Sequence, residues 1–213
     1  DDYAYLIEGL LDLYEADFNI EWLVASNELA QVMVNRFEDP VSGGFFYSDP
    51  GATELLARQK EISDGARPSG YGRALQSLAR LDAYGAPSAN PEQLQRGLEG
   101  AGRYLSRGAG SVPSLLSLVQ TIQRPGMQVI IAVPPGAKQQ AAPFSSAYND
   151  RYRPMDVIAV IDGSADESLF KAFTGKTSDG EQAQAYVCFD GVCKQPVTDL
   201  VALQQAMEQR PRK

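Results

Sequence analysis

Histidine is absent from all 213 residues of this chain. That absence removes Ser-His-Asp and Cys-His catalysis from anything the chain does alone. It also removes zinc sites that depend on imidazole. Proton transfer would fall to Asp, Glu, Tyr, Lys or a thiol. Cysteine is scarce: there are two, Cys188 and Cys193. Two thiols cannot staple a small secreted scaffold, so an intracellular, cytoplasmic setting is expected. Cations are outnumbered, with 19 Lys and Arg against 27 Asp and Glu and a net charge of -8. An acidic surface of this kind argues against nucleic-acid or anionic-membrane partners, both of which need a basic patch. No apolar run reaches the ~20 residues that span a bilayer. The chain opens Asp1-Asp2-Tyr3 without Met, basic or apolar leader. No signal peptide is visible, and the chain reads as a fragment or a processed product.

What is present is globular: 44% hydrophobic and 22% charged residues, enough for one large domain or two small ones. Residues 3–16 carry Tyr3, Leu6, Ile7, Leu10, Leu13 and Tyr14 at helical spacing, with Asp2 as the expected N-cap. Residues 20–37 repeat the pattern, and the short link at 17–19 makes the two an antiparallel hairpin. Asp39-Pro40 ends the second helix. Residues 43–47 are expected to turn into a short strand, with 55–62 pairing to it. Pro68 fits the first turn of a helix running to about Tyr84. Asn90-Pro91-Glu92 is a strong helix start, and a fifth helix is expected over 113–123.

The character changes near Arg124. Residues 127–133, 156–161 and 185–189 read as strands, 138–150 as a crossover, 166–173 as a short helix, and Thr198 as the cap of a last helix. The expected fold is mostly α with an α/β appendage: helical hairpins over 1–123, then a small α/β domain over 124–213.

Several clusters carry possible chemistry. Asp1-Asp2-Tyr3 gives two carboxylates and a phenol at a helix start. They serve either capping or acid-base and sugar-hydroxyl contacts. Arg58, Lys60 and Asp64 lie in the loop before Pro68-Ser69-Gly70, as a solvated surface or as a functional loop on a helical scaffold. Gly70-Tyr71-Gly72 lacks the third glycine of a dinucleotide fingerprint and follows no strand, so no cofactor is expected. Asp190-Gly191 is a favoured two-residue hairpin turn. It would set Cys188 opposite Cys193, either as a disulfide or as packed thiols. No metal is expected at that pair, since two further ligands are lacking.

Five segments in order carry a resemblance: DDYAYLIEGLLDLYEA at 1–16, GGFFYS at 43–48, RQKEISDGARPSG at 58–70, VIIAV at 129–133 and AYVCFDGVCKQPVTD at 185–199. Together they resemble the C-terminal part of the thioredoxin-domain-containing YyaL and spermatogenesis-associated protein family. The resemblance implies a partial (α/α)6 toroid, similar to N-acylglucosamine 2-epimerases and six-hairpin glycosidases. The thioredoxin-like domain and the remaining toroid would then be partners outside this chain. It departs at Tyr71, where the family carries Asn, and in having no histidine. On this resemblance and the clusters above, Asp64 and Asp2 are the expected catalytic carboxylates. Tyr3, Arg58, Lys60, Ser69 and Tyr71 are the expected contacts to a carbohydrate ligand, in an epimerase-like or glycosidase-like activity. The competing reading is a redox-linked scaffold using Cys188 and Cys193.

Overall fold

The computed structural model describes residues 1–124, 126–154 and 156–211. The chain divides into two compact units, one of Asp1–Asp82 with Ala86–Gln120 and one of Ala83–Gly85 with Thr121–Lys213. Each is taken by itself.

The first unit is helical. Helix α1 is Asp2–Asp17 and α2 is Ile20–Phe37. Asn19 caps α2 by accepting from Glu21 N–H, while Phe18 in the left-handed region closes α1. Such a reversal over two residues forces the helices to pack side by side. Asp1, not Asp2, holds the N-cap position of α1, and its side chain makes no capping bond. Asp1 instead pairs with Arg67 at 2.7 Å. Helix α3 is Gly70–Tyr84. It begins two residues after Pro68, because Ser69 supplies the cap: its hydroxyl accepts from Gly72 N–H at 3.1 Å.

Helix α4 is Pro91–Gly100, capped by Asn90 as the sequence implied. The apolar spacing then suggests one continuous helix, but Gly100 and Gly102 flank a break at Ala101, and α5 is Gly102–Arg107. Two glycines so close lower the helical preference enough for the chain to turn. Helix α6 is Pro113–Ile122. The core of this unit is a set of fully buried side chains that includes Ile7, Leu11, Leu23, Leu75, Leu78, Leu115 and Leu118.

The expected strands at 43–47 and 55–62 do not form. Phe45 instead forms an isolated bridge with Glu38, and Tyr47 N–H donates to Gln59 O without a ladder forming. Gly43 and Gly44 both have φ of +72°, outside the extended region a ladder needs.

The second unit is α/β. Strands β1 (Met127–Ala132), β2 (Val157–Ile161), β3 (Gln184–Phe189) and β4 (Val192–Cys193) form one sheet in the order β2-β1-β3-β4. The β1–β2 pair is parallel, joined by a crossover that contains α7 (Ala142–Asn149). The β1–β3 and β3–β4 pairs are antiparallel, so the sheet is mixed. Burial on every β2 position matches its unbroken apolar run. The short helix expected at 166–173 is instead two 3-10 turns, Ala165–Leu169 and Lys171–Phe173. Between them Phe170 is extended and fully buried; reaching the core takes it out of helical geometry. Helix α8 is Leu200–Glu208, capped by Asp199 one residue after Thr198. Tyr84, at the end of α3, donates to Ile158 O at 3.0 Å.

The Asp190-Gly191 turn behaves as expected. Both residues have positive φ, 47° and 78°, which is the twist a two-residue hairpin requires. Phe189 pairs with Val192 and Cys188 with Cys193. The cysteines form a disulfide, with their Cα atoms 3.9 Å apart. The bridge closes so short a loop that its entropic gain is modest, about 2 kcal/mol. Urea denaturation of Cys193→Ser should therefore show a small loss of that order with the α/β unit still folded. Complete unfolding of the variant would mean that the bridge holds the hairpin register itself.

Candidate functional site

An open cleft lies where the N-terminal ends of α1 and α3 meet the loop at 45–47. It has an empty volume of about 580 Å³ including its mouth. Asp1, Asp2, Tyr3 and Ala4 come from α1 and its entry, and Met33 and Phe37 from the last turns of α2. Phe45, Phe46, Tyr47 and Glu61 come from the loop, and Gly70, Tyr71 and Ala74 from α3. Tyr3 packs its ring against Phe37, with centroids 5.6 Å apart. Tyr47 remains about half exposed.

Three of the expected site residues meet here: Asp2, Tyr3 and Tyr71. Asp2 is exposed at the cleft. Tyr71 is buried, and its hydroxyl donates to Gly97 O at 2.5 Å. Burial, reinforced by the charge of Asp39, raises the Tyr71 pKa well above the ordinary phenol value. Its ring stands where a Cβ on Gly44 would lie, 2.0 Å from the hydroxyl, and a Cβ on Gly100 would come within 3.0 Å. Tyr71 thus locks the loop to α4 and gives the cleft a rigid floor.

The other expected residues stand behind the cleft lining. Arg58 donates to Ser48 O at 2.9 and 2.7 Å and to Arg36 O at 3.1 Å. Its guanidinium lies 4.1 Å from the Phe46 ring centre. Lys60 donates to Gly43 O at 2.5 Å and pairs with Asp39 at 2.7 Å. Both cations brace the loop that presents the aromatic wall. Ser69 caps α3. Asp64 accepts from Ser69 N–H, Ser114 N–H and Ser114 Oγ–H at 2.7, 2.7 and 2.8 Å. Burial alone would raise its pKa, but the hydrogen bonds from Ser114 and Ser69 outweigh it and hold the carboxyl low. One carboxylate thereby caps the start of α6 while fixing the entry to α3.

Glu61 was not singled out from sequence, although it sits inside the charged run at 58–64 and lines the cleft. Its signal was position: it is flanked by Lys60 and Ile62, both turned inward, so alternation along an extended segment aims Glu61 outward. Cys188 and Cys193 belong to the second unit. Among the described residues no group of His, Cys, Asp or Glu is arranged to hold a metal ion. No helix among them is long and apolar enough to cross a membrane.

The Asp39–Lys60 pair makes a pH prediction. The Lys60 ammonium, helped by the Ser42 and Val41 amides, draws the Asp39 pKa down from 3.8 to about 2. A lowered carboxylate stabilises the fold fully above its unfolded value and loses that contribution as pH falls through its folded value. Both side chains are well shielded, with 15% and 12% exposure. The shift corresponds to about 2 kcal/mol. Denaturation of Lys60→Met should therefore show a loss of that order at pH 7 and a flatter dependence than the parent between about pH 4 and 2. Equal slopes would show that Lys60 does not set the Asp39 titration.

No protein-family model matches the chain. It is 27% identical over 213 residues to mouse spermatogenesis-associated protein 20, covering 98% of this chain and 27% of that protein. The human protein of the same name is 28% identical over 213 residues, covering 97% of this chain and 27% of its own length. An uncharacterized protein of Caenorhabditis elegans is 24% identical over 207 residues, covering 96% of this chain and 28% of its own length. The chain spans about a quarter of the curated relatives it matches. The resemblance carried by the five sequence segments therefore holds, and the chain is homologous along nearly its whole length to part of spermatogenesis-associated protein 20.

Proposed function

We propose that the helical unit supplies one wall of a carbohydrate-binding cleft in an enzyme-type (α/α)6 toroid, of which it forms the last hairpins. The observation that carries this reading is the cleft itself: aromatic rings of Tyr3, Phe37 and Tyr47 beside the carboxylates of Asp2 and Glu61. Sugars stack their apolar faces on such rings, and paired carboxylates perform the proton transfers of glycoside and isomerase chemistry. The arrangement of helices supports the toroid. Contacts Asp1–Arg67, Glu8–Arg73 and Asp12–Arg80 run in step along α1 and α3, so these helices lie side by side in parallel. Asp64 ties the start of α3 to the start of α6. Alternate helices pointing one way, with their N-terminal ends gathered, are what the inner ring of such a toroid needs.

In this reading Asp2 and Glu61 are the proton-transfer candidates. Asp64, with three donors on its carboxylate, is the group that places them. The remaining toroid and a thioredoxin-like domain belong to the longer protein. The Cys188–Cys193 disulfide favours a second reading, in which a thioredoxin-like partner exchanges with this bridge and the helices act as scaffold.

Titration with neutral monosaccharides and disaccharides, followed by NMR, tests the first reading. Shifts should be confined to residues around Tyr3, Tyr47 and Glu61. Asp2→Asn should weaken binding about tenfold, the value of one good hydrogen bond to a charged group. Sugars that bind Asp2→Asn as well as the parent, or that shift residues elsewhere, would remove the cleft from consideration. Reduction of the bridge by a thioredoxin faster than by a small dithiol of equal potential would move the weight to the second reading.

A further inference from the structure

We propose that the cleft selects a cationic ligand, a small molecule bearing a protonated amine or an alkylated ammonium. This rests on the reading of the cleft as the ligand site. Its lining contains three carboxylates, Asp1, Asp2 and Glu61, and no Lys or Arg.

Each neighbouring cation is held by a group of the protein. Lys60 is held by Asp39 and Gly43 O. Arg58 is held by the carbonyls of Ser48 and Arg36, and Arg67 by Asp1. Among the described residues the side chains of Asp2 and Glu61 have no hydrogen-bond or ion-pair partner. Asp1 is matched by Arg67 and Arg58 keeps its charge behind the Phe46 ring, so the unmatched carboxylates that face the cleft are Asp2 and Glu61, and these two set the local attraction. An anion entering the cleft meets repulsion, a neutral polyol gains hydrogen bonds alone, and a cation gains Coulomb attraction as well.

The second independent feature is the aromatic wall. Ring faces carry negative quadrupole density and attract ammonium and guanidinium groups within about 6 Å. Phe46 already does this with the protein's own cations, Arg58 at 4.1 Å and Lys60 at 5.2 Å from its centre. Tyr3, Phe37 and Tyr47 line the cleft without such an occupant. Carboxylates and π faces in one concavity both favour the same ligand charge, which makes cation recognition the economical account of this composition. Within the carbohydrate reading, the substrate class becomes the amine-bearing sugars.

A charge-matched series tests this on the 213-residue chain. Glucosamine, glucose and glucuronate share a ring and differ in charge, and tetramethylammonium carries the charge without the sugar. Calorimetric or NMR titrations at pH 6 would compare them at low and high salt. Glucosamine should bind roughly tenfold or more tightly than glucose, with glucuronate weakest. The advantage should fall with salt and disappear in Asp2→Asn/Glu61→Gln. Both side chains are exposed, so the thermal midpoint of that variant reports whether the fold is intact. Tyr47→Ala, on an exposed ring, gives an independent loss of ammonium binding.

Glucose binding as well as glucosamine would overturn the cation inference and leave the carbohydrate reading standing. Tetramethylammonium binding in the cleft with no sugar bound would uphold the cation inference and overturn the carbohydrate reading. Failure of all four to bind would overturn both.

Discussion

The Asp64 carboxylate holds together parts of the helical unit that the chain separates widely. Three donors converge on it, two from Ser114 at the start of α6 and one from Ser69 before α3. Helix starts leave amide hydrogens without partners, and an anion satisfies them while complementing the helix dipole. Val112, next to α6, has no side chain able to do this. The carboxylate arrives instead from 50 residues away, so a cap that is ordinarily local becomes a tertiary bond. Ser69 could not cap α3 as it does, nor Gly70 admit Asp1 so closely, unless this loop were fixed first. A Cβ on Gly70 would lie 2.0 Å from Asp1 Oδ1, so the approach of α1 to α3 at the cleft has no slack.

Local patterns in the sequence made much of the fold legible. The helices α1, α2 and α6 follow from apolar spacing, and α4 from its Asn-Pro-Glu start. The hairpin register follows from Asp190-Gly191, because a two-residue turn leaves one way to pair the strands. In each case the determining residues lie within a few positions of the element they determine. The proposed toroid is different, because no local pattern states how hairpins distant in a chain would close into a ring.

The loop at 38–69 was misread for a related reason. Several of the bonds that hold it come from side chains reaching backbone carbonyls over 10 to 22 residues, as Arg58 does to Ser48 and Arg36. Hydrophobic alternation carries no trace of such bonds, so aromatic residues beside glycines looked like a strand. The same property split the expected site. Arg58, Lys60, Asp64 and Ser69 are polar, clustered and near a helix start, which is also the description of a ligand shell. What distinguishes scaffold from ligand contact is whether donors and acceptors are already used. Asp64 and Lys60 have their partners; Asp2 and Glu61 do not. That distinction is invisible until side chains are placed.

The floor of the cleft has a further consequence. Ser42 and Gly43 rest against α4 with main chain touching main chain: a Cβ on Gly43 would lie 2.1 Å from Arg96 O, and one on Gly100 would lie 2.6 Å from Ser42 O. Contacts of that kind have no rotamers with which to adjust. The loop therefore cannot slide to fit ligands of different girth. Divergence of specificity among relatives would have to proceed by exchanging whole side chains at positions such as 3, 47 and 61 on an unmoving frame. For the proposed ligand site, the surface would in that sense be a set of interchangeable tiles, its evolutionary history readable in substitutions rather than in insertions or deletions.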